Sequence, residues 1–192
     1  MSEAARLTIG GVGTAAPDKL RAVNREASAA FAQLYDDEIW SVYGFFGYLV
    51  SSREEAEDLT QLTFERALRA WDRFDPSRAS PRTWLLAIAH NLLIDHYRSG
   101  RSDRQEPLPE GEAADALIGH EGDPEAITMG ISPELEKALA GLAQRERELI
   151  ALRFGGELTG PEIADITGLS VANVQQILSR SLRRLRSTLE RE

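Results

Sequence analysis

The 192-residue chain is predicted to be all-α, with two small helical domains joined by a flexible acidic linker. Three observations lead there. Apolar residues recur every three or four positions in each patterned stretch, and no run alternates apolar with polar residues as a half-buried strand would. Helix start signals also recur: Ser followed by Pro, or Ser and Thr with Glu three positions on. Finally, residues 105–134 hold eight acids and no base, a self-repelling composition that cannot build a core and suits a tether.

Residues 1–22, rich in Gly, Ala and Thr, read as a loose tail. Helical spacing then begins with Phe31, Leu34, Tyr35, Ile39, Val42, Phe45, Phe46 and Leu49, and Gly44 and Gly47 are expected to weaken the later turns. Ser52 and Glu55 form a capping-box pattern ahead of an apolar stripe through Ala56, Leu59, Phe64, Ala67, Leu68 and Trp71. The turn-rich run from Phe74 leads to Ser80 and Pro81, which open a helix to about Arg98 that buries Trp84, Leu85, Ile88 and Leu92. A first domain therefore spans 23–104 and the linker 105–131. Order resumes at Ser132 and Pro133, with helices expected over 132–142, 144–154 and 160–167 and a last helix capped by Ser170, making a second domain of 132–192.

The absence of cysteine excludes disulfides, thiolate metal sites and cysteine nucleophiles, and fits a reducing compartment. No apolar run has the length of a signal peptide or a membrane span, so a cytoplasmic protein without membrane insertion is expected. The net charge of -9 argues against nucleic acid as a partner until it is divided along the chain. Residues 171–192 carry five arginines against two glutamates, and 76–104 five arginines against two aspartates, so each segment is net +3. Acids beyond a Debye length of about 8 Å are largely screened in physiological salt, and a duplex meeting either segment meets a local positive field.

The stretch from Thr159 to Leu185 has the form of a helix-turn-helix: a short helix, Gly168 at its C-terminus, then a longer helix. Ile163, Ala164, Ile166, Leu169, Val171, Val174 and Leu178 supply the seam, and the small Ala164 lets the helices cross closely. Asn173, Gln175, Gln176 and Arg180 are then expected to face outward, with side chains able to pair with base edges in a major groove. Arg183, Arg184 and Arg186 lie where phosphates would be met.

Two further stretches, "EEAEDLTQLTFERALRAWDRFDP" at 54–76 and "SPRTWLLAIAHNLLIDHYRSGR" at 80–101, together with this unit, closely resemble an extracytoplasmic-function (ECF) sigma factor of the sigma-70 family. The resemblance covers about 24–104 and 131–190. It implies an alternative sigma factor whose partners are core RNA polymerase, promoter DNA and an anti-sigma factor. The first domain, as region 2, would bind the polymerase clamp helices through Glu57, Asp58 and Gln61 and melt the -10 element. Arg82, His90, Asn91, His96 and Arg98 would contact the melted strand, with Asp95 orienting its neighbours. The loop from Asp75 to Ser80 would capture an unstacked base, and Trp84 would pack in the core. The second domain, as region 4, would read the -35 element through Asn173, Gln175, Gln176, Arg180, Arg183 and Arg184. The tether would thread towards the polymerase active-site cleft. Relatives commonly carry basic residues where Gln175, Gln176 and Ile177 stand, which leaves the -35 preference open. A DNA-binding regulator acting without polymerase is the alternative, and the stretch "AEDLTQLTF" counts against it.

No catalytic residue, cofactor or metal site is assigned. His90 and His96 lie about 120° apart on one helix, poor geometry for a shared metal, and His120 falls in the linker. No glycine-rich phosphate loop or serine-centred nucleophile motif is present.

Overall fold

The computed structural model describes residues 17–50, 52–102 and 132–190. Every regular element among them is helical. Helices α1 (Pro17–Gly47), α2 (Arg53–Ala70) and α3 (Pro81–Ser102) make a front unit. Helices α4 (Pro133–Ala140), α5 (Gln144–Ile150), α6 (Gly160–Thr167) and α7 (Val171–Leu189) make a rear unit. A 3-10 turn at Trp71–Arg73 ends α2, and a π turn at Ala151–Gly155 extends α5. Helix α1 begins at Pro17, earlier than the expected start near residue 23. Proline suits that first position because its missing N–H would have no partner within the helix. The rest of the expected tail and the acidic linker lie outside the described residues.

The start signals are used as the sequence suggests. The Ser52 hydroxyl accepts the Glu55 N–H at 3.1 Å, although the Glu55 carboxylate turns to His96 Nε2 at 2.6 Å rather than back to the cap. Ser80, Ser132 and Ser170 accept the N–H groups of Thr83, Leu135 and Asn173 at 3.1, 3.3 and 3.2 Å. Glu162 reaches back to the Thr159 N–H at 2.9 Å. Each cap satisfies a donor that a helix N-terminus leaves open and is worth about 1 kcal/mol. Gly168 ends α6 at φ 70°, a left-handed conformation in which a side chain would be strained.

The two units share one core. Val42, Phe45 and Phe46 of α1 and Leu85 and Leu86 of α3 belong to the same buried cluster as Leu149, Leu152, Leu158, Ile163 and Val174 of the rear unit. A smaller cluster of Leu139, Leu142, Ile150 and Leu185 joins α4, α5 and α7, with Tyr48 of the front unit on its margin. The backbones meet at Gly44 and Gly155, where a Cβ on Gly155 would fall 2.6 Å from the Gly44 carbonyl oxygen and 2.9 Å from the Phe45 nitrogen. Gly44, expected to weaken α1, instead lies inside a continuous helix. Its missing side chain is the space into which the π turn seats. Periodicity within each segment identifies the helices but carries no information on this contact between segments.

Candidate nucleic-acid interface

Helix α7 offers an open face. Asn173, Gln175, Gln176, Arg180, Arg183 and Arg184 are all exposed, while Val174, Ser181 and Leu185 are buried on the opposite side. The helical repeat groups Asn173, Gln176, Arg180 and Arg184 within about 80° of one another and turns Gln175 about 140° away from Arg180. The expected set is therefore divided, with Gln175 on the other flank near Arg186. The Arg184 guanidinium donates to Glu146 at 2.8 Å, and Arg183 Nε donates to the Ser179 carbonyl at 3.1 Å.

The polar face of α2 is exposed at Glu57, Asp58 and Gln61. Glu57 pairs with Arg53 at 2.6 Å, and this hydrogen bond and its charge raise the Arg53 pKa. Glu57 and Gln61 stand on the lip of a groove of about 620 Å³ between α1 and α2, whose apolar wall includes Tyr35, Ile39, Trp40, Phe64 and Leu68. Asp58 is not among its lining residues. Trp40 is 74% exposed, and Leu68, assigned by its spacing to the buried stripe, is 57% exposed. The sequence reading missed the groove. Its signal was an unexplained tryptophan next to Ile39 in the periodic stripe.

Along α3 the expected strand contacts fall into two environments. Asn91 and Arg98 are exposed, and His96 is half-buried against Glu55. Asp95 accepts from Arg66 Nη1 at 3.3 Å. Arg82 and His90 are not on an open surface. Arg82 Nε donates to Glu38 at 2.7 Å, and its Nη1 donates to Glu157 of the rear unit at 2.6 Å. Burial opposes the charge on Arg82, but the Glu38 and then the Glu157 contacts outweigh it and raise its pKa. His90 is buried, with Nε2 3.9 Å from Glu148 of the rear unit. Thr83 donates its one hydroxyl proton to Glu162 at 2.7 Å, so the Ser80 hydroxyl, 2.7 Å away, is the donor in their mutual bond. The Thr159 hydroxyl, its N–H and Thr83 together hold the Glu162 carboxyl below the ordinary glutamate value.

In the 75–80 loop, Asp75 accepts from the Ser77 hydroxyl at 2.7 Å and from the Ser77 N–H at 2.9 Å. These bonds lower its pKa and fix a turn. Beneath it, Trp84 packs on Trp71 and Phe74 with ring centroids 6.0 and 4.9 Å away, the core role its register suggested. Among the described residues, no group of three or more His, Cys, Asp or Glu is placed to hold a metal. None of the described helices is long and apolar enough to cross a membrane.

Comparison with known proteins matches both units. Residues 34–102 match Sigma-70 region 2, and residues 138–187 match Sigma-70 region 4. The front and rear units are thus the two regions of a sigma-70-type factor. The ECF RNA polymerase sigma factor RpoE of Cereibacter sphaeroides is 34% identical over 161 residues, covering 82% of this chain and 85% of its own length. The ECF RNA polymerase sigma factor SigC of Mycobacterium tuberculosis is 36% identical over 158 residues, covering 82% and 80%. The chain belongs to the ECF sigma factors of the sigma-70 family. It is an alternative sigma factor, directing promoter-specific transcription initiation, and sigma factors are non-enzymatic initiation factors. A regulator acting without polymerase is not favoured, since it accounts for the rear unit and leaves the region 2 match without a role. The fold is similar to that of the sigma factor RpoE solved with the anti-sigma factor NepR from Bartonella quintana, with TM-score 0.65, 24% identity, and 84% of this chain and 97% of that chain covered. It is also similar to CnrH solved with the cytosolic domain of CnrY, with TM-score 0.58, 24% identity, and 90% and 97% covered.

Proposed function

We infer that the two units divide the work of promoter recognition. The front unit, 23–104, docks on core polymerase through the exposed α2 face at Glu57, Asp58 and Gln61 and the groove beside it, then engages the opened -10 strand with Arg82, His90, Asn91, His96 and Arg98. The rear unit, 132–192, reads the -35 element with Asn173, Gln176, Arg180, Arg183 and Arg184, with Gln175 on the flank. The acidic stretch 105–131 occupies a basic nucleic-acid channel of the enzyme until RNA arrives. The chain carries out no chemistry of its own, acts in the cytoplasm, and is restrained by an anti-sigma partner, a reading supported by the similar RpoE structure, solved in complex with the anti-sigma factor NepR.

The observation that supports this best is the α7 face. Asn, Gln and Arg side chains are exposed together on the second helix of a capped helix-turn-helix, the chemistry that reads base edges and phosphates in a major groove. The test is run-off transcription with core polymerase on a promoter library. Start-site-specific transcripts are expected from the wild-type chain and a loss of them from Asp58→Ala with Gln61→Ala, through weaker co-elution with polymerase. Wild-type co-elution of that double variant would remove these residues from the docking site, and no specific transcripts from the wild type would overturn the reading.

A further inference from the structure

We propose that Arg73 and Arg78 form a phosphate clamp on the two sides of the 75–80 loop and hold the backbone of a single DNA strand there. The proposal rests on the reading of that loop as the place where the opened -10 strand gives up a base, and it adds two residues to those assigned to the strand.

The 3-10 turn and the loop together present both arginines. In a helix of three residues per turn, side chains at i and i+3 eclipse one another. Trp71 and Phe74 do so, with ring centroids 5.3 Å apart and planes 15° from parallel. Both pack on Trp84, and Phe31 meets Trp71 edge-on at 5.4 Å. With that direction taken by the aromatic cluster, Asp72 and Arg73 are left the other two, about 120° apart, and both are exposed. Past Phe74, the Arg78 N–H donates to the Asp75 carbonyl at 3.1 Å, which closes the turn and leaves the Arg78 side chain in solvent. The Asp75 carboxylate accepts from the Ser77 hydroxyl and N–H. Those two bonds lower its pKa more than the Arg78 charge does, so the acid nearest Arg78 is engaged within the turn.

Availability separates these two arginines from their neighbours. Arg53, Arg66 and Arg69 pair with Glu57, Asp95 and Glu65, and Arg82 is held by Glu38 and Glu157. Arg73 and Arg78 make no ion pair among the described residues. A phosphate reaching the loop therefore displaces no carboxylate from either guanidinium, and its bond to each is of the strong, charge-assisted kind. The packed rings beneath fix the backbone that carries both side chains. Phosphate contacts carry no sequence information but set the register of the strand. The clamp thus presents a base to the loop and leaves its choice to the loop.

The test is fluorescence anisotropy of the full-length free chain with a short random-sequence single-stranded DNA across a salt series. Each phosphate neutralised on a single strand adds about 0.7 to the slope of log affinity against log salt. Arg73→Gln and Arg78→Gln should each remove about 0.7, and the double variant about 1.4, with affinity falling alike for all sequences. Arg73→Lys and Arg78→Lys should keep the slope, because a phosphate contact requires the charge rather than the fork of the guanidinium. Arg53→Gln loses the same charge from an exposed site but opens α2, about 25 Å along the helix from the end that meets the 3-10 turn. Its slope should match the wild type. A wild-type chain that does not retain the strand at low salt, glutamine variants with the wild-type slope, or an equal loss in Arg53→Gln would each overturn the clamp. An equal loss in the lysine variants would overturn it as well, since the arginines would then act through the fold. Failure of the initiation reading is seen separately, as absence of co-elution with polymerase, and does not touch the free-chain measurements.

Discussion

Arg82 on α3 and Arg180 on α7 are the same residue type on two helices of opposite circumstance. Arg82 is 32% exposed in its side chain and clamped by Glu38 and Glu157. Arg180 projects into solvent from a face shared with Asn173 and Gln176. Both stand in segments of net +3, and charge alone would rank them equally as DNA ligands. What separates them is what packs alongside. The first turn of α6 and the residue before Leu158 bring acids to Arg82, whereas α4, α5 and α6 pack against α7 and leave Arg180 exposed. The availability of a DNA ligand is therefore set by tertiary packing.

The largest effect comes from breaking the packing that covers Arg82. Leu86 is fully buried, and its Cδ1 lies 2.6 Å from where a Cβ on Gly156 would be, so it is wedged against the rear unit. Leu86→Ala should lower unfolding free energy by about 2–5 kcal/mol, from lost transfer energy plus the cavity left behind. Leu182→Ala, on the open side of α7 at 41% exposure, should change stability by no more than about 0.5 kcal/mol. Urea denaturation of both variants checks the contrast, and equal losses would mean that the rear unit contributes little to burying Leu86.

A smaller effect is expected from truncating the two arginines. Arg180→Ala should weaken duplex binding by the free chain roughly tenfold and reduce the slope of log affinity against log salt by about 1. Arg82→Ala should leave duplex affinity of the free chain unchanged, because Glu38 and Glu157 already hold that side chain, and should instead reduce promoter opening in the polymerase complex. Fluorescence anisotropy across a salt series reads the first pair, and permanganate reactivity of promoter thymines reads the second. Equal losses in free-chain affinity would place Arg82 on an open surface in solution.

What could be read in advance divides along the same line. Caps at Ser52, Ser80, Ser132 and Ser170 and the stop at Gly168 depend on residues at most three positions away, so they are legible in one sequence. The exposed α7 face follows from helical repeat and charge, except that Gln175 needed the register worked through residue by residue. The covered state of Arg82 and His90 depends on partners far along the chain, at Glu157 and Glu148. Gly44 is the sharpest case. Alone it reads as a weak point in a helix, and only beside Gly155 does its missing side chain become a seat. Leu68 errs in the other direction, since its spacing fits the core but it lines an open groove.

The smallest expected effect tests whether the contact between α6 and α3 depends on charge. Glu162 accepts from the Thr159 hydroxyl at 2.6 Å, the Thr159 N–H at 2.9 Å and the Thr83 hydroxyl at 2.7 Å, with Arg82 nearby adding a favourable field. These hold its pKa below the ordinary value of 4.5, the Thr159 hydroxyl contributing most. A carboxyl with a lowered folded-state pKa contributes stability that is fully present above its unfolded value and lost as pH falls through the folded one. Of its hydrogen-bonding partners, only Thr83 belongs to the front unit. Thr83→Val should therefore lower Tm at pH 7 by about 2–4 °C, as expected for one net hydrogen bond of about 1 kcal/mol in a chain of this size. The gap should close as the pH is taken below 4.5 and Glu162 gains its proton. In a Glu162→Gln background the Thr83→Val gap should be small at every pH, since a neutral acceptor makes the weaker bond. A gap that stays constant from pH 7 down to about pH 3 would mean that Thr83 contributes packing alone and that the carboxylate is not what joins α6 to α3.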